Sequence, residues 1–360
     1  MLEWLRLTRE IYNAALQERR DAWAKQRVSV TRADQEKQLP AVREARPEFD
    51  DVPIRVQRGA LRRIDKAFAA FFRRCKAGEK PGYPRFKSSD HFSSILIDDL
   101  DGRSPIVAGG RRVKVPMLGK IKCYQIDRPL QGTPKAMRIT TDGDGHWFVT
   151  FACVDVPAKP LPATGEAVGV DLGLLTFAAT SDGEKFRNPR VLDAQRIATE
   201  RAQRRVSRRV LGSRRRRGAV RLLRSHHART ANLRRENHIH VARSLVGRYD
   251  TIFVEALSIL GLARGALARS VNDAAWGNFL HWLRCKAENA GREVVGVDPR
   301  GTSLTCSRCG CVGPKLPLSQ RVFRCADCGF TADRDVNAGC NIKGLGLALR
   351  RGAALVEARH

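Results

Sequence analysis

The chain has 360 residues, 42% of them hydrophobic and 29% charged, and its 66 Lys and Arg against 37 Asp and Glu leave a formal charge of +29. That length allows two or three domains with sizeable cores, but so large a basic excess repels itself in a compact state unless a polyanion neutralises it, and nucleic acid is the usual one. No apolar run is long enough to span a bilayer and the first residues lack the succession of a signal peptide, so the ten cysteines belong in a reducing cytosol as metal ligands and buried thiols.

From Met1 to about Ala77 the material is helix-forming, with Leu61, Ile64, Phe68 and Phe71 at helical spacing beside Arg62, Arg63 and Lys66. A helical lobe with one basic face is expected over residues 1–79. Lys80-Pro81-Gly82-Tyr83-Pro84 ends it, because both prolines block continuation of a helix. Short β-type runs follow at Ser94 to Ile97, Arg112 to Val115, Ile121 to Ile126, Ala136 to Thr140 and Trp147 to Val154. Asp142-Gly143-Asp144-Gly145 before His146 is a hairpin signal, and a small antiparallel barrel or sandwich fits residues 80–160.

Past the linker Pro157 to Pro162, Ala167 to Thr180 reads as a buried strand, a turn and a second strand, with Asp171 the only charge in an apolar run. Burying a lone carboxylate is costly unless a cation or hydrogen bonds hold it. The strand Thr251 to Leu257 repeats the anomaly with Glu255, and Asp335 stands near the start of a helix running through Ala338 and Ile342. Between the first two acids lies the most basic stretch. Arg201, Arg204, Arg205 and Arg208 fall on one helix face with Ile197, Val206 and Val210 expected inward; Arg214, Arg215, Arg216 and Arg217 continue after Gly212. A second helix over about Val220 to Val246 carries Arg221, Arg224, Arg234 and Arg235. Too few acids are present to pair with these charges, so phosphate binding is expected along the comb rather than a solvated face. Aromatic residues at 6% argue against a continuous base-stacking platform as the main theme.

Trp276, Phe279, Leu280, Leu283 and Ala287 form the apolar stripe of a further helix, with Trp276 and Trp282 expected in the core. The strand Glu293 to Val297 leads into Asp298-Pro299, read as a turn. Then come Cys306-x2-Cys309 and Cys325-x2-Cys328, two turns that each present two thiolates to one side, with Gly310 and Gly329 after each pair. Four such ligands close a tetrahedron around Zn²⁺; Cys311 lies close enough to compete. The three isolated acids are of the type that holds Mg²⁺, and a pair of such ions about 3.5 to 4 Å apart stabilises both the attacking water and the leaving oxygen of a phosphodiester. Each acid alone could equally be a cap or a salt-bridge partner, Asp335 most of all.

The segments Gly169-Val170-Asp171-Leu172-Gly173, Ile252 to Leu257, Val297 to Gly310 and Cys325 to Ala338 resemble the TnpB family, transposon-encoded relatives of type V CRISPR effectors. The likeness spans roughly Val168 to Leu345. It implies an α+β multidomain protein: a helical recognition-like lobe (1–79), a wedge-like β-barrel (80–160), and an RNase H-like (RuvC) nuclease domain (161–302 and 332–360) interrupted by a zinc ribbon (303–331). It implies Asp171, Glu255 and Asp335 as the catalytic, Mg²⁺-binding carboxylates, with Asp333 the rival for the third place, and Cys306, Cys309, Cys325 and Cys328 as structural Zn²⁺ ligands. The implied activity is Mg²⁺-dependent cleavage of target DNA directed by a guide RNA from the transposon end, in support of transposon maintenance. The implied state is a monomer with RNA in a bacterial or archaeal cytoplasm, at the nucleoid when on DNA. Family members usually begin with a strand that completes the wedge barrel and cut DNA beside a short adjacent motif, whereas Met1-Leu2-Glu3-Trp4-Leu5 already reads as helix; a true start there implies a missing strand and weaker contacts to that motif, and a mis-assigned start implies nothing. The competing readings are an RNA-guided repressor without nuclease activity, a basic zinc-ribbon protein that only binds RNA, and a transposition protein acting without a guide.

Overall fold

A computed structural model describes residues 1–98, 100, 105–106, 111–124, 130–142, 145–262, 264–265, 267–314, 316–317 and 319–357. Two compact units result, Met1–Pro157 and Ala158–His360.

The first unit opens with α1 (Leu2–Gln26), α2 (Arg32–Ala45) and α3 (Ile54–Lys76), with a 3-10 turn at Pro47–Asp51 before the last. α2 starts on a capping box, in which the Asp34 carboxylate accepts from the Thr31 N–H at 2.9 Å while Thr31 Oγ1 accepts from the Asp34 N–H. Strands β1 (Ser94–Asp98), β2 (Arg112–Val115), β3 (Gly119–Lys122), β4 (Thr133–Thr141) and β5 (Trp147–Val154) follow. An antiparallel sheet of order β1-β4-β5 and a separate β2-β3 ribbon account for them; among the described residues no barrel closure is seen. The strand expected over Ile121 to Ile126 pairs as Gly119–Lys122, and its residues 125–126 lie outside the described residues, as do Gly143 and Asp144 of the expected hairpin turn. Leu7, Leu16 and Ile64 from the helices and Ile95, Ile97 and Met137 from the sheet are all fully buried in one cluster, so the helical and β-rich segments fold on a common core.

The second unit contains β6 (Ala167–Leu172), β7 (Thr176–Thr180), β8 (Lys185–Arg187), α4 (Val191–Ser207), α5 (Arg214–Arg248), β9 (Thr251–Glu255), α6 (Ile259–Leu262), α7 (Ala268–Ala274), α8 (Trp276–Ala290), β10 (Glu293–Val297), β11 (Val322–Arg324), β12 (Thr331–Asp333) and α9 (Arg334–Glu357). Five strands make a mixed sheet of order β10-β9-β6-β7-β8: β6, β7 and β8 run antiparallel, and β9 and β10 join parallel to β6. Both faces are covered, which is why β9 is buried along its whole length and apolar from Ile252 to Val254. Ile252 and Val254 face a core shared with Leu245, Phe279 and Leu283, while Phe253 faces the other way onto Val297 and Ile342 of α9.

The approach of α9 to the sheet depends on glycine. A Cβ on Gly169 of β6 would lie 2.0 Å from the Gly339 carbonyl oxygen and 2.5 Å from the Lys343 nitrogen, both backbone atoms that cannot retreat without moving the helix. Gly169→Ala should therefore lower the melting temperature by several degrees, the cost of overpacking in a unit of this size. Gly218→Ala, on α5 with open space around it, should leave it unchanged or slightly raised. Equal melting temperatures for wild type and Gly169→Ala would contradict the close packing.

Two expectations about the arginine helices need correction. Ile197 and Val210 are 55% and 78% exposed, and only Val206 of the three turns inward. α4 ends at Ser207, so Val210 lies past the helix, and the buried face of α4 is carried by Val191, Ala202 and Val206. α5 begins at Arg214 rather than near Val220, because Ser213 caps it by accepting from the Arg216 N–H at 3.1 Å.

Candidate active site and metal centre

The C-terminal ends of two neighbouring parallel strands carry Asp171 and Glu255, and the first turn of α9 carries Asp335. All three line one cleft of about 860 Å³, together with Thr302, Asp273, Trp276, Arg321 and Arg334. Burial, with the neighbouring charges of Glu255 and Asp335, pushes the Asp171 carboxyl up to about 8. Glu255, 7% exposed, is also raised by burial, while Thr302 Oγ1 donates to its carboxylate at 2.6 Å and pulls the other way. Arg321 approaches Asp335 at 3.6 Å. Buried acids that line one cleft raise one another's pKa unless a cation intervenes, and an all-oxygen donor set suits a hard divalent ion.

Asp333 occupies a different position. Its Oδ1 accepts from the Asp335 N–H at 3.0 Å and the Val336 N–H at 3.3 Å, capping α9, and its other oxygen holds Lys185 Nζ at 2.6 Å. Burial acts upward on its carboxyl, but Lys185 and these N–H groups outweigh it and hold it below the usual range. The capping task that sequence left open for Asp335 thus falls to Asp333.

Four sulfurs, of Cys306, Cys309, Cys325 and Cys328, lie within 4.8 Å of one another, with Sγ–Sγ separations of 3.7 Å for Cys306–Cys328 and 3.6 Å for Cys309–Cys325. A tetrahedron of Zn–S bonds of about 2.3 Å requires sulfurs roughly 3.8 Å apart, so the set fits the ion. Gly310 and Gly329 adopt φ of 79° and 71°, the turn that L residues avoid. Burial acts upward on Cys306, yet the N–H groups of Cys309 and Arg308 aimed at its sulfur bring the thiol down to about 7. Cys311 stays outside the cluster, bonded to Asp327.

Sequence reasoning missed what joins the two centres. Asn337, 1% exposed, accepts from the Ser307 N–H at 3.0 Å and donates to the Thr305 carbonyl at 2.8 Å; Asn341 donates to the carbonyls of Thr302 and Thr305. The base of the four-cysteine loop is therefore clamped to α9 through the residues two and six positions after Asp335. Thr302 gave no signal either, because it acts on Glu255 across 47 residues. Asp298 accepts from the Arg300 N–H at 3.0 Å, the turn expected there.

Arg201, Arg204, Arg205 and Arg208 share one surface with Arg209; Arg214, Arg215 and Arg217 are exposed and Arg216 half-buried at the start of α5. Arg235 is exposed and donates to Asn232. Arg234 departs from the comb: its guanidinium donates twice to Asp273, itself only 9% exposed at the side chain, and Asp273 also caps the Leu192 N–H. That arginine is spent on holding α5 to the cleft wall.

The family profile described as "Probable transposase" matches residues 151–265, and that described as "Cas12f1-like, TNB domain" matches residues 276–342. A "Putative RNA-guided DNA endonuclease" of Streptomyces pristinaespiralis is 33% identical over 94% of this chain and 84% of its own length. The "Putative RNA-guided DNA endonuclease InsQ" of Escherichia coli K12 is 27% identical over 85% of this chain and 78% of its own. A "CRISPR-associated endodeoxyribonuclease Cas12f1" of Sulfoacidibacillus thermotolerans is 44% identical over 57 residues, 16% of this chain and 14% of its own.

Proposed function

This chain belongs to the TnpB family, and from that membership together with the acidic cleft we propose that it is an RNA-guided, Mg²⁺-dependent DNA endonuclease of a mobile element. The observation that carries the reading is the convergence of Asp171, Glu255 and Asp335, from three separate elements, on one cleft. The strand order β10-β9-β6-β7-β8, with three antiparallel and two parallel strands, supports an RNase H-like nuclease domain over 161–302 and 332–360, and the four-cysteine loop supports a zinc ribbon over 303–331. Residues 1–79 and 80–160 then serve as the recognition-like lobe and the wedge-like domain.

Asp171, Glu255 and Asp335 would hold Mg²⁺, two ions in this reading, which when bound lower the pKa of a water and stabilise the charge developing on the departing oxygen. Thr302 fixes the Glu255 carboxylate through its 2.6 Å hydrogen bond. Asp333 anchors the first turn of α9 and so aims Asp335. Arg321 and Arg334, on the same cleft, offset the repulsion that the acids exert on a phosphodiester. Arg201, Arg204, Arg205, Arg208, Arg214, Arg215, Arg216, Arg217 and Arg235 supply phosphate contacts to guide RNA and target DNA, while base pairing carries the sequence information.

Purification from the native host followed by sequencing of bound RNA, then cleavage of a matched plasmid with Mg²⁺ or chelator, tests this reading. A defined transposon-end RNA and Mg²⁺-dependent cutting are expected; no defined RNA would remove the guided mechanism. Binding should also weaken steeply with salt, and changing Arg201, Arg204, Arg205 and Arg208 together to Gln should flatten the log K against log[salt] slope by about 3 to 4. An unchanged slope would contradict phosphate contact by this face.

A further inference from the structure

In the first unit, aromatic residues concentrate at the end of α3. Phe68, Phe71 and Phe72 occupy positions i, i+3 and i+4 on one helix face. The chain then reverses: Gly78 takes φ of 68°, its N–H bonds the Cys75 carbonyl, and the Glu79 N–H bonds the Arg74 carbonyl. Pro81 and Pro84 stiffen the return, and Tyr83 comes back edge-on to Phe68 and Phe71, with centroids at 5.6 and 5.4 Å. Phe71 meets Phe72 edge-on at 5.2 Å, and Phe68 anchors the group on the core of the unit.

Apolar rings held in this way would ordinarily be covered. Phe72 is 56% exposed and Tyr83 46%. Arg73, Arg74, Lys76, Lys80 and Arg85 flank them along the chain, all exposed; none is paired with an acid among the described residues, and Glu79 is the only acid in residues 66–87. That charge excludes a second copy of this chain as the cover, since two such rims would repel. It favours a polyanion with apolar faces to offer. A base pair in a duplex keeps its faces stacked on its neighbours, whereas an unpaired base presents both.

We infer that Phe72 and Tyr83 form a stacking platform for unpaired nucleotides, with Arg73, Arg74, Lys76, Lys80 and Arg85 on the adjoining phosphates. The site is independent of the nuclease reading and would stand if the cleft proved inert.

The test is equilibrium binding of the full chain, freed of co-purified nucleic acid in high salt, to (dT)12, to (U)12 and to a duplex of equal length. Phe72→Ala with Tyr83→Ala should weaken single-strand binding at least about fivefold while duplex affinity stays within about twofold. Phe72→Trp with Tyr83→Phe should restore it, and both variants should keep the wild-type circular dichroism because the rings are exposed. Loss on both oligomers means the platform ignores the sugar; loss on one alone identifies the strand that uses it. Equal loss on the duplex, or unchanged binding of both oligomers, would overturn the assignment.

Discussion

Asp171→Ala and Glu255→Gln are each expected to reduce cleavage of a guide-matched plasmid by on the order of a thousandfold or more, with RNA affinity within about twofold of wild type. The separation of effects follows from geometry: both carboxylates lie in the cleft, and Arg201, Arg204, Arg205 and Arg208 line another surface of the same unit. Parallel loss of RNA binding would mean that the acids are structural. A second readout uses stability. The Asp171 carboxyl, pushed up to about 8, keeps its proton in the folded chain at pH values where an unfolded aspartate has released it. Its contribution to stability is therefore full below about pH 4 and is lost as pH rises toward 8. Without divalent cations, Asp171→Asn should melt above wild type at pH 8, and Mg²⁺ should raise the melting temperature of the wild type more than that of the variant. Melting curves that coincide at pH 8 in chelator would contradict the burial of Asp171 beside Glu255 and Asp335.

Removing zinc is expected to be the most destructive treatment of the second unit. The core beneath the four cysteines consists of Cys306, Phe323 and Cys325 with Leu316 and Phe330 beside them, too little apolar material to order a loop unaided. Structural zinc in small peptides contributes roughly 10–16 kcal/mol of apparent binding energy at neutral pH, far above what this cluster could replace. With the loop unfolded, Asn337 and Asn341 lose the backbone groups of Thr302, Thr305 and Ser307 that they hold, and the start of α9, with Asp335, loses its clamp. Cys306→Ser with Cys325→Ser should abolish cleavage and bound zinc while the sheet, whose core is separate, keeps its strand signal. Cys311→Ser should change neither. Full activity in zinc-free protein would show that the clamp is dispensable.

Much of this was legible because the signals were local. An acid inside an apolar run, as at Asp171 and Glu255, is visible in a dozen residues, and so are two Cys-x2-Cys turns. The strands β1, β2 and β5 and the helix α8 followed equally from short patterns. What escaped depends on partners far along the chain. Arg234 looked like one more tooth of the comb until Asp273, 39 residues on, proved to bind it. Ile197 and Val210 have inward-facing chemistry yet stay exposed: Val210 lies past the end of α4 at Ser207, and Ile197 falls off the face that buries Ala202 and Val206. The contrast between Asp333 and Asp335 turns on which carboxylate reaches two N–H groups at a helix start, a matter of backbone path that composition does not encode. At the aromatic platform, an overall fraction of 6% concealed a local concentration.

Anomalous diffraction from crystals soaked in Mn²⁺, a readily located substitute for Mg²⁺, bears most directly on the proposal that Asp171, Glu255 and Asp335 share a metal. A peak in contact with the carboxylates of Asp171, Glu255 and Asp335, absent from Asp171→Ala crystals, is the expected result. A chain that cuts its guided target yet binds Mn²⁺ elsewhere, with nothing between those three side chains, would contradict it.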